Sequence, residues 1–569
     1  MSTVVTRVPT APLVAAQVAV VGVLLAAAYP VAWWSWTVLA GGLGAGAVAL
    51  LCRRPGRRAG RRDRAPGGSL RVGTVERAGL TVGVAEDAGG WFAVAELAPR
   101  LDLRPETAAL PPLTAVARVL ADGRDPSAVQ LVSHTVAAPT TRLPPDAPLL
   151  ASYRELAAGE STVAHQVSWL CVRLDACDGA AVMARHGGDR AAPARATAAA
   201  ILRASRTLRL TGVACRVLDA RELTDALTLA SVDGVAASGL AQVCYGVESV
   251  PKPLAAAVSA APAAATTVAT TVATGPQGLH ARRLVRVVAP AGELRRCDTV
   301  LRSGARRGGV PVTRLDGRHA QAAYAAGPTG AALPPSGGYA VAGAAAGLDP
   351  LDVPWRSIAP GETVEQADPA AAVGVMFGRD VDRRATVVRI FRPWPTELVV
   401  VGGHVTAAVI ALRALATGAL VFVRTARFAD WTRLAHAGQC PDRLCVGVEP
   451  PPSADPHRPT LVIDDLDPDG ATTRVALRPW QTRLAVVNHL APAGARRLAG
   501  AHLAILHRLA EDEAEVAAGA LDMTGDTPQV LTRLPDDMVA LVGGGVNSYT
   551  WLEPTDWERA VTGHRAAGG

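Results

Sequence analysis

The amino-acid sequence predicts a two-helix transmembrane hairpin followed by a large α/β region. Two observations carry the hairpin. Residues 8–52 are 45 consecutive positions without a charged side chain, and Arg53, Arg54, Arg57, Arg58, Arg61, Arg62 and Arg64 follow at once. A helix needs about 20 apolar residues to cross a hydrocarbon core, so the run is too long for one crossing and right for two. A third observation predicts the α/β region: from residue 152 onward, strand-like segments alternate with helix-like ones.

The hairpin comes first in the chain. Helices over 11–29 and 32–52 are joined at Pro30 and the Trp33, Trp34, Ser35, Trp36 cluster, because loop backbone is not tolerated in lipid and Trp favours the headgroup level. The arginines after the second helix, and Arg7 before the first, place both termini and the bulk of the chain in the cytoplasm. The expected protein is a two-pass component of the cytoplasmic membrane, with Trp33, Trp34, Trp36, Arg53, Arg54, Arg57, Arg58, Arg61 and Arg62 in contact with lipid. A signal peptide is the competing reading, with Arg7, an apolar stretch at 13–25 and a cleavage site at Ala26, Ala27 and Ala28. It leaves the second helix and its arginines in place.

The length of 569 residues leaves room for two or three further domains. A net charge of +7 points to nucleic acid until the charge is located. Residues 53–64 hold +6 of it, leaving about +1 for everything else. The basicity therefore reads as an anchor for anionic lipid headgroups, and no nucleic-acid partner is expected. Eight cysteines, at 52, 171, 177, 215, 244, 297, 440 and 445, form no C-x-x-C, and Cys440 and Cys445 have no second pair at zinc spacing. Buried free thiols are expected.

Past an arginine-rich linker at 53–69, strands over 80–85 and 91–97 flank the turn Glu86, Asp87, Ala88, Gly89, Gly90 as a hairpin. A helix at 113–120, an alternating strand at 127–137 and a Pro-rich break at 139–148 follow. From residue 152 come a helix, a strand at 165–174, a helix at 194–210, a strand at 214–218, a helix at 220–229 and a strand at 241–247. Lys252, the chain's only lysine, with Pro253, Pro262 and several threonines, argues against a third membrane span over 249–274. A helix at 254–261 and a strand at 265–273 are read there instead. A strand at 282–289, a helix at 293–306 and a strand at 310–315 repeat the earlier style, so two similar α/β halves are expected without a register-matched repeat.

A Gly/Ala/Pro-rich linker over 331–368 separates an α/β domain at 70–330 from a second at 369–560, ahead of a tail at 561–569. The second domain reads as strands at 385–391 and 397–401, Gly402-Gly403, a helix at 405–417 and a strand at 419–424. Strands at 460–466 and 483–489, an apolar helix at 494–510 running into acidic 511–515, and a strand at 538–542 complete it. On this pattern the second domain is a parallel, three-layer arrangement.

The candidate chemistry is sparse. Strand, Gly402-Gly403, helix and strand outline a nucleotide-hydrolysing domain, but a phosphate loop needs G-x-x-x-x-G-K-[ST] and the C-terminal half has no lysine. The glycines also leave the dinucleotide fingerprint incomplete. Asp465, Asp467, Asp469 and Gly470 open like a calcium loop, yet position twelve, which must be a bidentate glutamate, is Ala476. The same Asp465-Leu466-Asp467 resembles the D-x-D pair that holds a metal and a sugar nucleotide, against the plainer reading of an acidic turn. Asp465, Asp467 and Asp469 are thus the metal candidates, and no cofactor is assigned. His165, His319 and His404 stand singly and read as hydrogen-bonded structural residues. Glu511, Asp512, Glu513 and Glu515 read as a solvated face at the end of a long helix, or as a docking patch for basic protein surfaces.

Several phrases resemble the EccE family, a membrane component of actinobacterial type VII (ESX) secretion systems. They are residues 73–97 ending in Asp87-Ala88-Gly89-Gly90-Trp91-Phe92-Ala93-Val94, Ser152-Tyr153-Arg154-Glu155-Leu156, Trp169-Leu170-Cys171-Val172-Arg173-Leu174-Asp175, Val312-Thr313-Arg314-Leu315-Asp316-Gly317, and the segment from Val401-Gly402-Gly403 to Leu412-Arg413-Ala414-Leu415. The resemblance implies a non-enzymatic structural subunit with EccB-, EccC- and EccD-like partners, the FtsK-like ATPase EccC supplying energy. It also implies glycosyltransferase-like or Rossmann-like layers without a working active site. The alternative is a membrane-tethered nucleotide- or sugar-nucleotide-binding enzyme using Asp464, Asp465 and Asp467.

Overall fold

The computed structural model describes residues 70–97, 103, 127–158, 160, 162–230, 239–275, 278–331, 353, 355–359, 364, 372–466, 476–523, 527–544 and 546–563. Residues 65–569 form one compact unit. The expected transmembrane hairpin is corrected here, because no helix among the described residues is long and apolar enough to cross a membrane. Residues 8–52, given to that hairpin, lie outside the described residues together with Trp33, Trp34, Trp36 and the arginines at 53–64. The 19-residue helix at Ala192–Leu210, for one, carries Arg195, Arg203, Arg206 and Arg209. The fold that stands is mixed α/β, built on two sheets.

The first sheet and its helices comprise β1 (Arg71–Arg77), β2 (Leu80–Asp87), β3 (Gly90–Leu97), β4 (Ala128–Ala137), α1 (Pro148–Leu156), β5 (Thr162–Asp175), α2 (Ala176–Arg185), α3 (Ala192–Leu210), β6 (Cys215–Val217), α4 (Ala220–Leu229), β7 (Leu240–Val247), α5 (Lys252–Ala260), β8 (Ala265–Gly275), β9 (Gly278–Pro290), α6 (Leu294–Arg307), β10 (Val312–Arg314) and α7 (His319–Ala326). Their strands run β1-β2-β3-β5-β4-β8-β9-β7-β10, with β6 also on β3, and two short strands from further along the chain, β11 (Arg356–Ser357) and β12 (Ala372–Val373), pair with β9 and β5. Every pairing among β1–β10 is antiparallel, and β12 alone lies parallel, on β5. Alternation of strand and helix thus does not produce a Rossmann-like parallel sheet here. Thr and Val recurring through β8 suit a pleated, buried surface, and the β2–β3 hairpin turns through Ala88 and Gly89.

The sheet is a tandem repeat. One set of strands lies in the order β4-β5-β3-β6 and the other in the order β8-β9-β7-β10, each the four-strand order of a split β-α-β sheet. The halves abut through β4 and β8, in a register that pairs Val132 with Ala269. The correspondence reaches single bonds: Leu218 N donates to Val94 O, and Leu315 N donates to Cys244 O, each at 3.0 Å. Helices α3 and α6 also end alike, with Val213 N donating to Leu208 O and Val310 N to Ala305 O. Gly212 (φ 83°) and Gly309 (φ 67°) supply the left-handed residue at each end. Gly212→Ala or Gly309→Ala is expected to cost about 1 kcal/mol, read as a lower urea midpoint at unchanged slope.

The second sheet receives β13 (Val375–Asp380), β14 (Ala385–Val388), β15 (Thr396–Val401), α8 (His404–Ala416), β16 (Leu420–Thr425), α9 (Phe428–Ala437), β17 (Leu444–Val446), β18 (Thr460–Asp465), β19 (Gln481–Val487), α10 (Ala495–Ala499), β20 (Leu503–Leu506), α11 (Glu511–Ala520), α12 (Thr527–Leu531), β21 (Met538–Gly543), β22 (Val546–Trp551) and α13 (Asp556–Thr562). Its order is β14-β13-β22-β21-β20-β15-β19-β18-β16-β17. The six strands from β20 to β17 are parallel, and the other four extend them antiparallel. The apolar α8 is buried on one face, in a core with Leu398, Val400, Val421, Leu461 and Ile463. Leu498 of α10 and Ala514 and Ala517 of α11 pack on Val399, Val401, Ala485 and Val487 from the other face.

Residues 494–510 are not one helix. They divide into α10 and β20, and Leu503, Ala504, Ile505 and Leu506 are buried between β15 and β21. A short apolar run is compatible with a buried strand or a buried helix, and sheet pairing decides it. The acidic run consequently opens α11 instead of closing a long helix, where carboxylates suit the helix dipole. Glu513 is itself buried and accepts from Leu490 N at 2.8 Å and Ala510 N at 3.0 Å.

The two sheets meet over a group of rings. His134 (β4) stacks near Trp169 at 6.1 Å and meets His457, from the loop before β18, edge-on at 5.5 Å. His165 (β5) meets Trp480, from the turn before β19, at 4.7 Å. His134 and His165 are buried.

Candidate functional site

Ligands of open parallel sheets bind beyond the carboxyl ends of the strands, so that edge of the second sheet is where the candidate aspartates are tested. Asp465 ends β18, beside Thr425 at the end of β16. Thr425 Oγ1 donates to Asp465 Oδ2 at 2.7 Å, Trp431 Nε1 at 3.0 Å and Arg427 Nε at 3.2 Å. A second Arg427 nitrogen donates to Oδ1. Burial pushes this carboxyl up, but the bonds from Arg427, Thr425 and Trp431 outweigh it and hold the group below the ordinary carboxylate range. Both oxygens are therefore committed inside the protein. Asp465→Ala leaves the Trp431 and Thr425 donors without an acceptor. It is expected to cost about 3 kcal/mol of stability in urea unfolding and to leave magnesium or manganese binding, read by calorimetry, unchanged.

Asp464 faces the opposite side of β18 and joins a ladder across four strands, β16, β18, β19 and β15. Its carboxylate lies 3.2 Å from Arg424 and 3.2 Å from Arg483, and Arg483 is 2.9 Å from Glu397. Strand alternation sends Asp464 and Asp465 to different faces, so the two do not converge on one ion. Asp467 and Asp469 lie outside the described residues. Among the described residues, no group of three His, Cys, Asp or Glu side chains is placed to hold a metal.

The Gly402-Gly403 turn does lead from β15 into α8, with φ of 101° and 155°. A Cβ on Gly402 would stand 2.8 Å from His507 Cβ, and the His507 ring is hydrogen-bonded to Thr406 in the first turn of α8. Gly402 thus admits a close histidine side chain. His404 opens α8 half-buried, and burial and the nearby Arg427 lower its pKa. His319 accepts from Cys244 N at 3.2 Å through Nδ1, and His165 is packed on Trp480 as above. Burial raises the thiol pKa of Cys244 to about 12 and those of Cys297 and Cys440 to about 11, which disfavours the thiolate that a metal or nucleophile requires.

The residues that sequence reasoning missed are buried arginines. Arg173 of β5 donates to Asp87 Oδ1 at 2.7 Å, to Asp175 Oδ1 at 3.0 Å and to Thr329 O at 3.0 Å, and Tyr324 Oη adds a 2.6 Å bond to Asp87. Arg413 of α8 donates to Glu558 at 2.7 and 3.0 Å, to Leu552 O at 2.9 Å and to Phe377 O. A lone charge inside the apolar α8 sequence is the signal that could have found Arg413, because a buried guanidinium requires a carboxylate.

These geometries define an α/β body in which Asp464 and Asp465 serve as ion-pair partners and Glu513 caps α11. Residues 162–249, from β5 through β7, match the EccE family model, described as a type VII ESX secretion system translocon. The phrase at Trp169–Asp175 lies inside that match, and the other phrases quoted above lie outside it. No curated protein matches the chain.

Proposed function

We propose that the chain is a structural subunit of a type VII secretion translocon, bracing EccB-, EccC- and EccD-like neighbours through its α/β body. The observation that carries the reading is the EccE match over residues 162–249. Membrane association follows from the translocon description of that family. The commitment of Asp465 to Arg427, Thr425 and Trp431 supports a non-enzymatic role over the nucleotide-binding alternative. The test is complementation in a strain lacking the gene. Wild type and Asp464→Asn should both restore export of type VII substrates. Loss of export with Asp464→Asn at normal protein abundance would favour catalysis.

A further inference from the structure

We propose that the helical layer of α2, α3, α5 and α6 is a docking face for an anionic bilayer surface. The inference rests on charge placement and stands apart from the secretion reading. Arg7, the seven arginines at 53–64 and Asp63 account for the whole net charge of +7, so residues 65–569 are neutral overall. Within that neutral unit, residues 176–210, 252–260 and 293–307 carry twelve basic side chains against Asp178, Asp189, Glu293 and Asp298. The rest of the unit holds the balancing negative charge.

The four helices lie on one face of the first sheet. The α3 cluster includes Val272 of β8 and Ala281 of β9, and the α5–α6 cluster includes Val268 and Val285 of the same strands. Residues four apart on a strand point to one side. Gly179 of α2 packs on Trp91, which shares the α3 cluster. The tandem repeat thus sets two long basic helices on the same side.

Local energetics do not account for the charge. Arg306 and Arg307 suit the last turn of α6, but Arg295 and Arg296 stand in its first turn, where a cation opposes the helix dipole. Among the described residues, Arg295, Arg306 and Arg307 make no ion pair. The face also lacks the aromatic anchors of a protein interface and the stacking rings of a single-strand binder, because these segments contain no Phe, Trp or Tyr. Its one exposed large apolar side chain is Leu210, 84% exposed. Basic charge with a lone apolar contact matches an interfacial binder.

Lys252, the only lysine, lies exposed on α5 and accepts an amine-reactive dye. The full chain, so labelled, is bound to phosphatidylcholine vesicles with or without phosphatidylglycerol, and quenching by headgroup-tagged lipid is measured. A Lys252→Arg chain, labelled at the N-terminus alone, supplies the background. Quenching is expected only with phosphatidylglycerol and to fall at high salt. Joint Arg295→Gln, Arg302→Gln and Arg306→Gln should weaken the anionic-lipid dependence about a hundred-fold. Glu293→Gln, which removes a negative charge from the same layer, should strengthen it, an effect misfolding does not produce. Equal quenching on both lipids, no response to the arginine changes, or stronger competition by duplex DNA than by anionic vesicles would overturn the proposal.

Discussion

Arg413→Ala is expected to remove about 3–5 kcal/mol of unfolding free energy, the largest loss from any single substitution considered. Arg413 and Glu558 are 1% and 2% exposed and 2.7 Å apart, so the truncation leaves a buried carboxylate without its cation. It also strands the carbonyls of Phe377 and Leu552, which the guanidinium satisfies. Glu558 has a second task, capping α13 by accepting from Thr555 N at 3.0 Å. The variant should therefore loosen the C-terminal helix first, with proteolysis there preceding global unfolding. Arg413→Met combined with Glu558→Leu should recover part of the loss, because no buried charge is then left alone. A loss below about 1 kcal/mol for Arg413→Ala, the scale of an exposed pair, would show that the pair is solvated.

Acidification from about pH 7.5 to about pH 5.5 is expected to destabilise the seam between the sheets by about 3 kcal/mol. His134 and His165 are held well below the ordinary histidine range, chiefly by burial. His134 faces His457 and Arg286, and His165 faces Arg389, His134 and His457. His457 is lowered by burial and Arg142 against the opposing pull of Asp455 and a bond to the Leu229 backbone. Below about pH 6.5 the unfolded chain takes up protons that these rings refuse, so stability is complete above that pH and is lost as pH falls. Asp175 acts in the opposite sense, since burial raises it to about 6 despite Arg173 and its folded form gains a proton as pH falls through that value. One carboxyl offsets only part of two or three histidines. Urea midpoints across this range should fall, and His165→Phe should flatten the slope. A midpoint independent of pH would mean that the rings are solvated.

The sequence made the α8 helix, the β2–β3 hairpin and the strands around it legible, because each carries its own periodicity or turn residues. The tandem repeat was not legible beyond a similarity of style. The β3 sequence GWFAVAEL and the β7 sequence LAQVCYGV share no identical position, and only pairing order and backbone bonds relate them. Residues 494–510 were misread because buried strand and buried helix look alike in apolar composition. Asp465 was legible as a candidate but not as a spent one. Its partners Arg427 and Trp431 are 38 and 34 residues away, and spacing cannot show that they converge.

Membership of a secretion translocon through contacts of the α/β body is tested by gentle detergent extraction from the native membrane. Native-gel separation and mass spectrometry then identify what travels with the chain. The expected result is a large assembly containing an FtsK-like ATPase and other type VII secretion components. Recovery of the chain alone, or as a small homo-oligomer, would contradict it.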